Sequence, residues 1–391
     1  MERIGIYGGA FNPPHIGHIR AAKHALQALS LSKLLLIPSC VSPHKVTPAG
    51  SPTPQQRLQM LRLAVQDEPD MEVSDIELSR GGTSYTYETV AALHSRYPQS
   101  QLILLMGTDM FLTFPDWRQP EDIIRYVSLA VFYRGDAQEI SRVQAQKEAM
   151  EKMGATVYLV ENPVTRISST DIRRMLTFDC ARPYLPEAVS KFVAQAGLYR
   201  QDCRKLPLPQ LQSVVTGLLK PDRVNHVLGC REAAVSLAKH WGANETDAAR
   251  AALLHDITKA LDAAAQLTLC REYGIVLDDF SEKNPKTLHA LTGALVAQRI
   301  FEENDAVVEA IRSHTTGKAN MNLLEKIIYV ADYMEPNRDF PGVEELRRLA
   351  YTDLNAALKR GLEMTLELLK QQGRTVSPGS REALLWLQEH R

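Results

Sequence analysis

GIYGGAFNPPHIGH, residues 5–18, decides how the first half of this chain is read. The stretch leaves a short apolar run, passes two glycines, two prolines and two histidines, and enters the periodic segment HIRAAKHALQAL. That order predicts a strand, a tight turn and a helix. Gly8 and Gly9 let the backbone turn sharply and let a ligand come close to the main chain. Pro13 and Pro14 stiffen the turn, and a helix starting near Gly17 offers free N–H groups to an anion. His15 and His18 lie three residues apart around Gly17, so both imidazoles can converge on the same phosphates. Glycines between a strand and a helix are commonplace, and by spacing alone the histidine pair leaves structural and functional readings equally open.

Further apolar runs follow the first: KLLLIPS, QLILLMG, SLAVFYR and ATVYLVE, each ended by glycine, proline or a polar residue. Helical periodicity fills the intervals, as in PQQRLQMLRLAV. Buried parallel strands alternating with helices predict an open α/β sheet with helices on both faces. From about residue 210 the strand runs vanish, and NETDAARAALLHDITKAL, ALTGALVAQRIF, NDAVVEAIRSH and NLLEKIIYVADYME all carry helical spacing. The last opens on Asn322 with Glu325 three residues on, a capping-box start. The expected architecture is therefore multidomain, α/β and then all-α, which a length of 391 residues favours. The polar, proline-bearing stretch QDCRKLPLPQ places a linker at 201–209, between domains at 1–200 and 210–391.

Hydrophobic content of 45% and charged content of 23% are those of an ordinary globular protein. A net charge of −1 gives no bulk attraction to nucleic acid or to an anionic membrane. Five scattered cysteines without a C-x-x-C pair read as free thiols in a reducing compartment. There is no signal-peptide pattern and no apolar run near the roughly 18 residues of a membrane span, so a cytoplasmic location is expected.

GGAFNPPHIGH resembles the H-x-G-H signature of the nucleotidyltransferase superfamily, adenylyltransferases with a Rossmann-like fold. ISSTDIR at 167–173 matches that group's second hallmark, a Ser/Thr-rich turn opening a late helix. Ser168, Ser169 and Thr170 would supply hydroxyls and N–H groups there, and Arg173 a bidentate cation; a plain helix cap would explain the serines alone. SPHK with Lys45, GTSYTYETV and GTDMFLTFPDWRQPEDI look like bacterial nicotinate-nucleotide adenylyltransferase, and the likeness runs through essentially all of residues 1–200. It implies that Trp117 stacks on a pyridine ring and that main-chain groups near Thr86 and Tyr87 hold its carboxylate. It further implies that Asp109, in the turn after Gly107, contacts the adenosine ribose. Gly8, Gly9, Phe11, Arg134, Ser168, Ser169 and Thr170 complete the expected nucleotide site. One departure is Arg134-Gly135-Asp136, where the family usually continues Arg-Pro-Gly. The implied reaction is attack of the mononucleotide phosphate on the α-phosphorus of ATP. His15, His18, Lys45 and Arg173 would stabilise the charge, with Mg²⁺ on the phosphates.

In the second half, AALLHDITKAL sets His255 beside Asp256 near the end of an apolar helix. Adjacent helical residues point about 100° apart, so both reach one metal only where packing makes them converge. His226, His289, His314 and Asp332 are further candidate ligands, and a histidine and carboxylate set without thiolate suits Fe, Mn or Co. The order His226, His255-Asp256, Asp332 resembles the HD superfamily of metal-dependent phosphohydrolases. LLHDITK, HALTGA, IRSHTTG, LEKIIYVADYMEPNR and FPGVEELR look like the bacterial HD-domain symmetrical diadenosine tetraphosphatases. This likeness implies that the six residues bind a dinuclear centre, iron being the expected metal, and that Lys259 and Arg338 contact phosphate. The whole reads as a bifunctional enzyme whose partners are ATP, nicotinate mononucleotide and diadenosine tetraphosphate. No nucleic acid or membrane partner is expected, and homo-oligomer formation is left open. The alternatives are an HD domain acting on another nucleotide, or one serving as a regulatory nucleotide-binding module.

Overall fold

The apolar runs of the first half form parallel strands β1 (Arg3–Gly9), β2 (Lys33–Pro38), β4 (Gln101–Gly107), β5 (Val127–Tyr133) and β6 (Val157–Glu161). A short β3 (Met71–Val73) joins them at one edge, giving the order β3-β2-β1-β4-β5-β6. The computed structural model describes residues 1–41, 50–133, 135, 137–161 and 167–390. Every strand pair is parallel, with Ile6 opposite Leu35 on one side and Leu104 on the other. Five consecutive residues of β2, Leu34–Pro38, are buried, as a strand covered on both faces requires.

Helices Thr86–Arg96, Pro120–Tyr126 and Ala137–Lys152 bring Val90, Leu93, Ile123, Val143 and Met150 against Ile4, Ile6, Leu104 and Val131. Helices Ile16–Ala28 and Pro54–Ala64 pack on β1, β2 and β3. Right-handed crossovers running outward in two directions from β1 and β4 put these helix sets on opposite faces. The carboxyl ends of β1 and β4 are then where the strand order reverses, the place at which open sheets of this kind bind ligands.

The second half is helical, and no strand occurs in it among the described residues. Leu323–Met334 is its central helix, with Ile327, Ile328, Tyr329, Val330 and Ala331 all sealed. Asn322 accepts from the Glu325 N–H while the Asn322 N–H donates to Glu325 Oε2 at 2.8 Å, the reciprocal cap expected from the spacing. Glu245–Leu254 uses Ala248, Ala249, Ala251 and Ala252 to pack closely on all sides.

The chain divides into two compact units. The first is Met1–Thr177 with Tyr184–Arg200; the second is Phe178–Pro183 with Gln201–Arg391. Residues 201–209, read above as a linker, are held within the second unit: the Lys205 N–H donates to Phe301 O, and Arg250 donates to Leu206 O. Among the described residues no helix is long and apolar enough to cross a membrane.

Candidate functional sites

In the first unit, the turn between β1 and helix Ile16–Ala28 is held by four side chains. Arg57, a buried guanidinium on helix Pro54–Ala64, donates to Ala10 O at 2.7 Å and to Ser39 O and Cys40 O. Arg173 Nη1 donates to Asn12 O at 2.8 Å, and Ser169 Oγ donates to Pro13 O at 3.0 Å. Tyr199 OH donates to Asn12 Oδ1 at 2.6 Å. Two stretches about 150 residues apart in sequence therefore close on each other. Arg173 also donates to Thr170 Oγ1, whereas Ser168 exchanges bonds with Asp171 as a cap of helix Ser169–Thr177.

The His15 ring lies 3.7 Å from that of His18, which in turn meets Phe11 edge-on at 5.1 Å. The His15 N–H donates to His18 Nδ1 at 3.2 Å. Gly17 must be bare, since a Cβ there would come within 2.9 Å of His15 Nδ1. His15 is 3% exposed, and neither of its ring nitrogens has a hydrogen-bond partner among the described residues. Gly8 has open space beside it. Glycine backbone, a helix N-terminus and an imidazole with both ring nitrogens unpartnered meet at this turn, a combination suited to an anion.

Burial pushes the His15 imidazole down from 6.5 to about 4, against a smaller upward pull from Asp171. The unfolded chain takes up the proton near 6.5 and the folded chain resists it until about 4. The contribution of His15 to stability is therefore complete above 6.5 and is lost as pH falls through that window, by about 3 kcal/mol in all. His15→Gln is expected to flatten the decline of the unfolding temperature between pH 6.5 and 4. An equally steep decline in the variant would assign it to other groups.

At the same sheet edge, Thr86 and Tyr87 open helix Thr86–Arg96. The strand-like bridge between Val41 and Thr83, and the Cys40 N–H bond to Ser84 Oγ, hold that helix start beside the end of β2. Tyr87 and Trp117 pack against one apolar cluster, Trp117 at 5.2 Å from Phe114. Gly107 and Asp109 stand exposed where β4 ends. Lys45 and Arg134 lie outside the described residues.

In the second unit the expected ligands converge. Helix Glu245–Leu254 ends at the His255-Asp256 pair, with His255 as its C-cap in helical conformation (φ −55°, ψ −38°), so the pair stands at the end of the apolar helix. His314 likewise caps helix Asp305–Ser313, and His289 lies in the first turn of helix Leu288–Arg299. His226 comes from helix Pro221–Trp241 and Asp332 from Leu323–Met334. His226 Nε2 is 3.1 Å from Asp332 Oδ1 and 3.3 Å from His255 Nε2. Asp256, 0% exposed, faces His226 and His255 with Oδ2 and faces His289 and His314 with Oδ1, at 3.4–3.7 Å.

Each imidazole is orientated from behind. The Nδ1 atoms of His255, His289 and His314 donate to the carbonyls of Ala252, Lys286 and Ile311, each at 2.7 Å, and His226 Nδ1 donates to Glu335 Oε1 at 3.1 Å. That leaves all four Nε2 atoms facing inward, the orientation that metal-binding histidines require. Burial would raise the Asp256 carboxyl, but His255, His314 and Lys259 outweigh it and hold it well below the usual range. Burial, with His314 and Lys259, lowers His289 to about 3, leaving it neutral. His226, His255 and Asp332 form one group able to hold a cation, and His255, Asp256 and His314 another. The nitrogen and oxygen donors fit a hard to borderline divalent metal. Lys259 Nζ lies 3.2 Å from Asp256 Oδ1, and Arg338 donates to Asp332 Oδ1 at 2.8 Å, so both expected phosphate contacts border the ligands.

Glu335 was not singled out from the sequence. It is 1% exposed, accepts from the Asn337 N–H and Nδ2, and lies above Gly229, where a Cβ would come within 2.3 Å of its Oε2. Its spacing from Asp332, one helical turn on, was the available signal. Gly229→Ala is expected to displace Glu335, free the His226 ring and weaken metal binding about ten- to a hundredfold. Metal titration of the full chain checks this, and unchanged affinity would show that Glu335 has no hold on His226.

The cytidylyltransferase-like family matches residues 6–175, and the HD domain family matches residues 223–337. Over 200 residues the chain is 36% identical to a probable nicotinate-nucleotide adenylyltransferase of Desulfitobacterium hafniense (strain Y51), spanning 51% of this chain and 96% of that protein. Over 166 residues it is 43% identical to a symmetrical bis(5'-nucleosyl)-tetraphosphatase of Halalkalibacterium halodurans, spanning 41% of this chain and 88% of that protein. Among solved structures, a "predicted HD superfamily hydrolase involved in NAD metabolism" from Clostridium acetobutylicum is 35% identical, with a TM-score of 0.46 over 48% of this chain and 99% of its own.

Proposed function

We infer the function from membership of two families: through its first unit the chain belongs to the nicotinate-nucleotide adenylyltransferases, and through its second to the HD domain proteins. The first unit transfers the adenylyl group of ATP to nicotinate mononucleotide. A phosphate oxygen of the mononucleotide bonds to the α-phosphorus, the bond to the bridging oxygen breaks, and pyrophosphate leaves with the electron pair, Mg²⁺ arriving as part of the ATP. Nicotinate adenine dinucleotide is the other product. No side-chain nucleophile is needed, so the enzyme's work is positioning and charge stabilisation. The observation that carries this reading is the closure of the Ser169–Arg173 turn on the turn holding His15 and His18. His15, His18, Lys45 and Arg173 meet the phosphate charge. Gly8, Gly9, Phe11, Ser168, Ser169, Thr170, Arg134, Gly107 and Asp109 seat the adenosine and its phosphates. Trp117 stacks on the pyridine ring above the main chain of Thr86 and Tyr87.

The second unit hydrolyses diadenosine tetraphosphate symmetrically. Water bonds to one inner phosphorus, the central phosphoanhydride breaks, and both products are ADP. What supports this is the inward convergence of four histidine Nε2 atoms on two buried aspartates, together with the 43% identity given above. His226, His255, Asp256, His289, His314 and Asp332 would hold a pair of divalent metals, iron first among them. When bound, such a pair supplies a hydroxide at neutral pH and positive charge at the attacked phosphate. Lys259 and Arg338 hold the phosphates on either side of the break.

A crosswise test on the full chain separates the two activities. His18→Ala is expected to lose dinucleotide synthesis and keep ADP release, and His255→Ala the reverse. A single variant that removes both would mean one shared site. Wild-type protein that binds metal but leaves diadenosine tetraphosphate intact would move the second activity to another nucleotide.

A further inference from the structure

Arg223 carries no role so far. It precedes His226 by three residues on helix Pro221–Trp241 and reaches Asp256 Oδ2 with Nε at 2.5 Å and with Nη2. Two other cations treat the ligand carboxylates in the same way, Lys259 on Asp256 and Arg338 on Asp332. All three differ from the acids they touch in one respect. The side chains of Arg223, Lys259 and Arg338 are 25%, 38% and 34% exposed, while those of Asp256 and Asp332 are 0% and 10%. The sealed acids are thus faced by a rim of partly exposed cations drawn from three separate segments, the Arg223 Nη2 atom itself being buried.

The charges are matched. Three cations stand against three acids: Arg223 and Lys259 on Asp256, and Arg338 shared by Asp332 and the buried Glu335. Any divalent cation held by the histidines and aspartates then adds its full double charge to the site. A carboxylate ligating a dication also loses most of its pull on a neighbouring guanidinium, which becomes available to another anion. The fork of Arg223 suits two oxygens of one phosphate, and the rim as a whole suits a chain of phosphates rather than a single one.

We propose that Arg223 is a substrate-binding residue that grips the polyphosphate chain, and that Arg223, Lys259 and Arg338 together select linear polyphosphates over monophosphates. The inference rests on the metal-dependent hydrolase reading of the second unit. The probe is inorganic tripolyphosphate, titrated calorimetrically into the manganese-loaded full chain, beside inorganic phosphate. The binding component missing from His255→Ala is the one belonging to the second unit. In Arg223→Ala that component is expected to weaken about ten- to a hundredfold, with manganese content unchanged and phosphate binding little altered; Arg223→Lys should recover part of the loss. Unchanged tripolyphosphate affinity in Arg223→Ala overturns the proposal. So does loss of manganese together with affinity, which would make Arg223 a support for Asp256. Absence of any such component in the wild-type chain would sink the hydrolase reading itself.

Discussion

His255→Ala is expected to strip the second unit of its metal and to lower diadenosine tetraphosphate hydrolysis by at least about a thousandfold. The size of the effect follows from where His255 sits. It belongs to both groups of residues able to hold a cation, 3.3 Å from His226 Nε2 and 3.4 Å from Asp256 Oδ2. Alanine removes one donor from each group and takes from Asp256 the strongest of the neighbours that keep it ionised. A fully buried carboxylate that loses such a partner is costly to keep charged, so the cluster should rearrange rather than bind metal with one ligand fewer. Metal analysis of the purified full chain gives the first readout and chromatography of ADP the second. Dinucleotide synthesis by the same sample shows that the chain has folded. Hydrolysis that survives loss of the metal would end the two-metal reading.

The second large effect is expected of His18→Ala: a fall in kcat of about a hundred- to a thousandfold, with KM for ATP within about threefold of wild type. His18 is held on three sides. It accepts from the His15 N–H, lies tilted against the His15 ring, and meets Phe11 edge-on. A side chain so restrained loses little entropy when charge develops near it, which is the condition for stabilising a transition state more than a ground state. In the function proposed above, ATP would still be held by the glycine turn, the helix N-terminus and Arg173. Steady-state kinetics with ATP varied at saturating nicotinate mononucleotide decide the matter. A rise in KM matching the fall in kcat/KM, with kcat kept, would make His18 a ground-state binding residue.

The sheet was legible wherever strands are long and covered on both faces, since continuous apolar runs such as LLLI have no other use in a helix-alternating chain. β3 escaped because Met71–Val73 offers three residues and one buried side chain, too little for any periodicity. His255-Asp256 could be read as a pair but not as a geometry: their other partners, His226, His289, His314 and Asp332, come from separate helices whose packing the sequence does not spell out. Residues that act through others were the hardest to see. Glu335 matters through the back of an imidazole and through the bare Cα of Gly229. Arg57 spends its guanidinium on main-chain carbonyls, partners that leave no signature in side-chain identity.

Phe178–Pro183 belongs to the second unit and Tyr184–Arg200 returns to the first, so the covalent chain passes from one to the other three times. Joining two genes end to end gives one such passage. A fragment beginning at residue 201 would leave behind Phe178, Cys180 and Ala181, all of them sealed in the intact chain. Dissection of the two activities therefore belongs to point substitutions in the whole molecule.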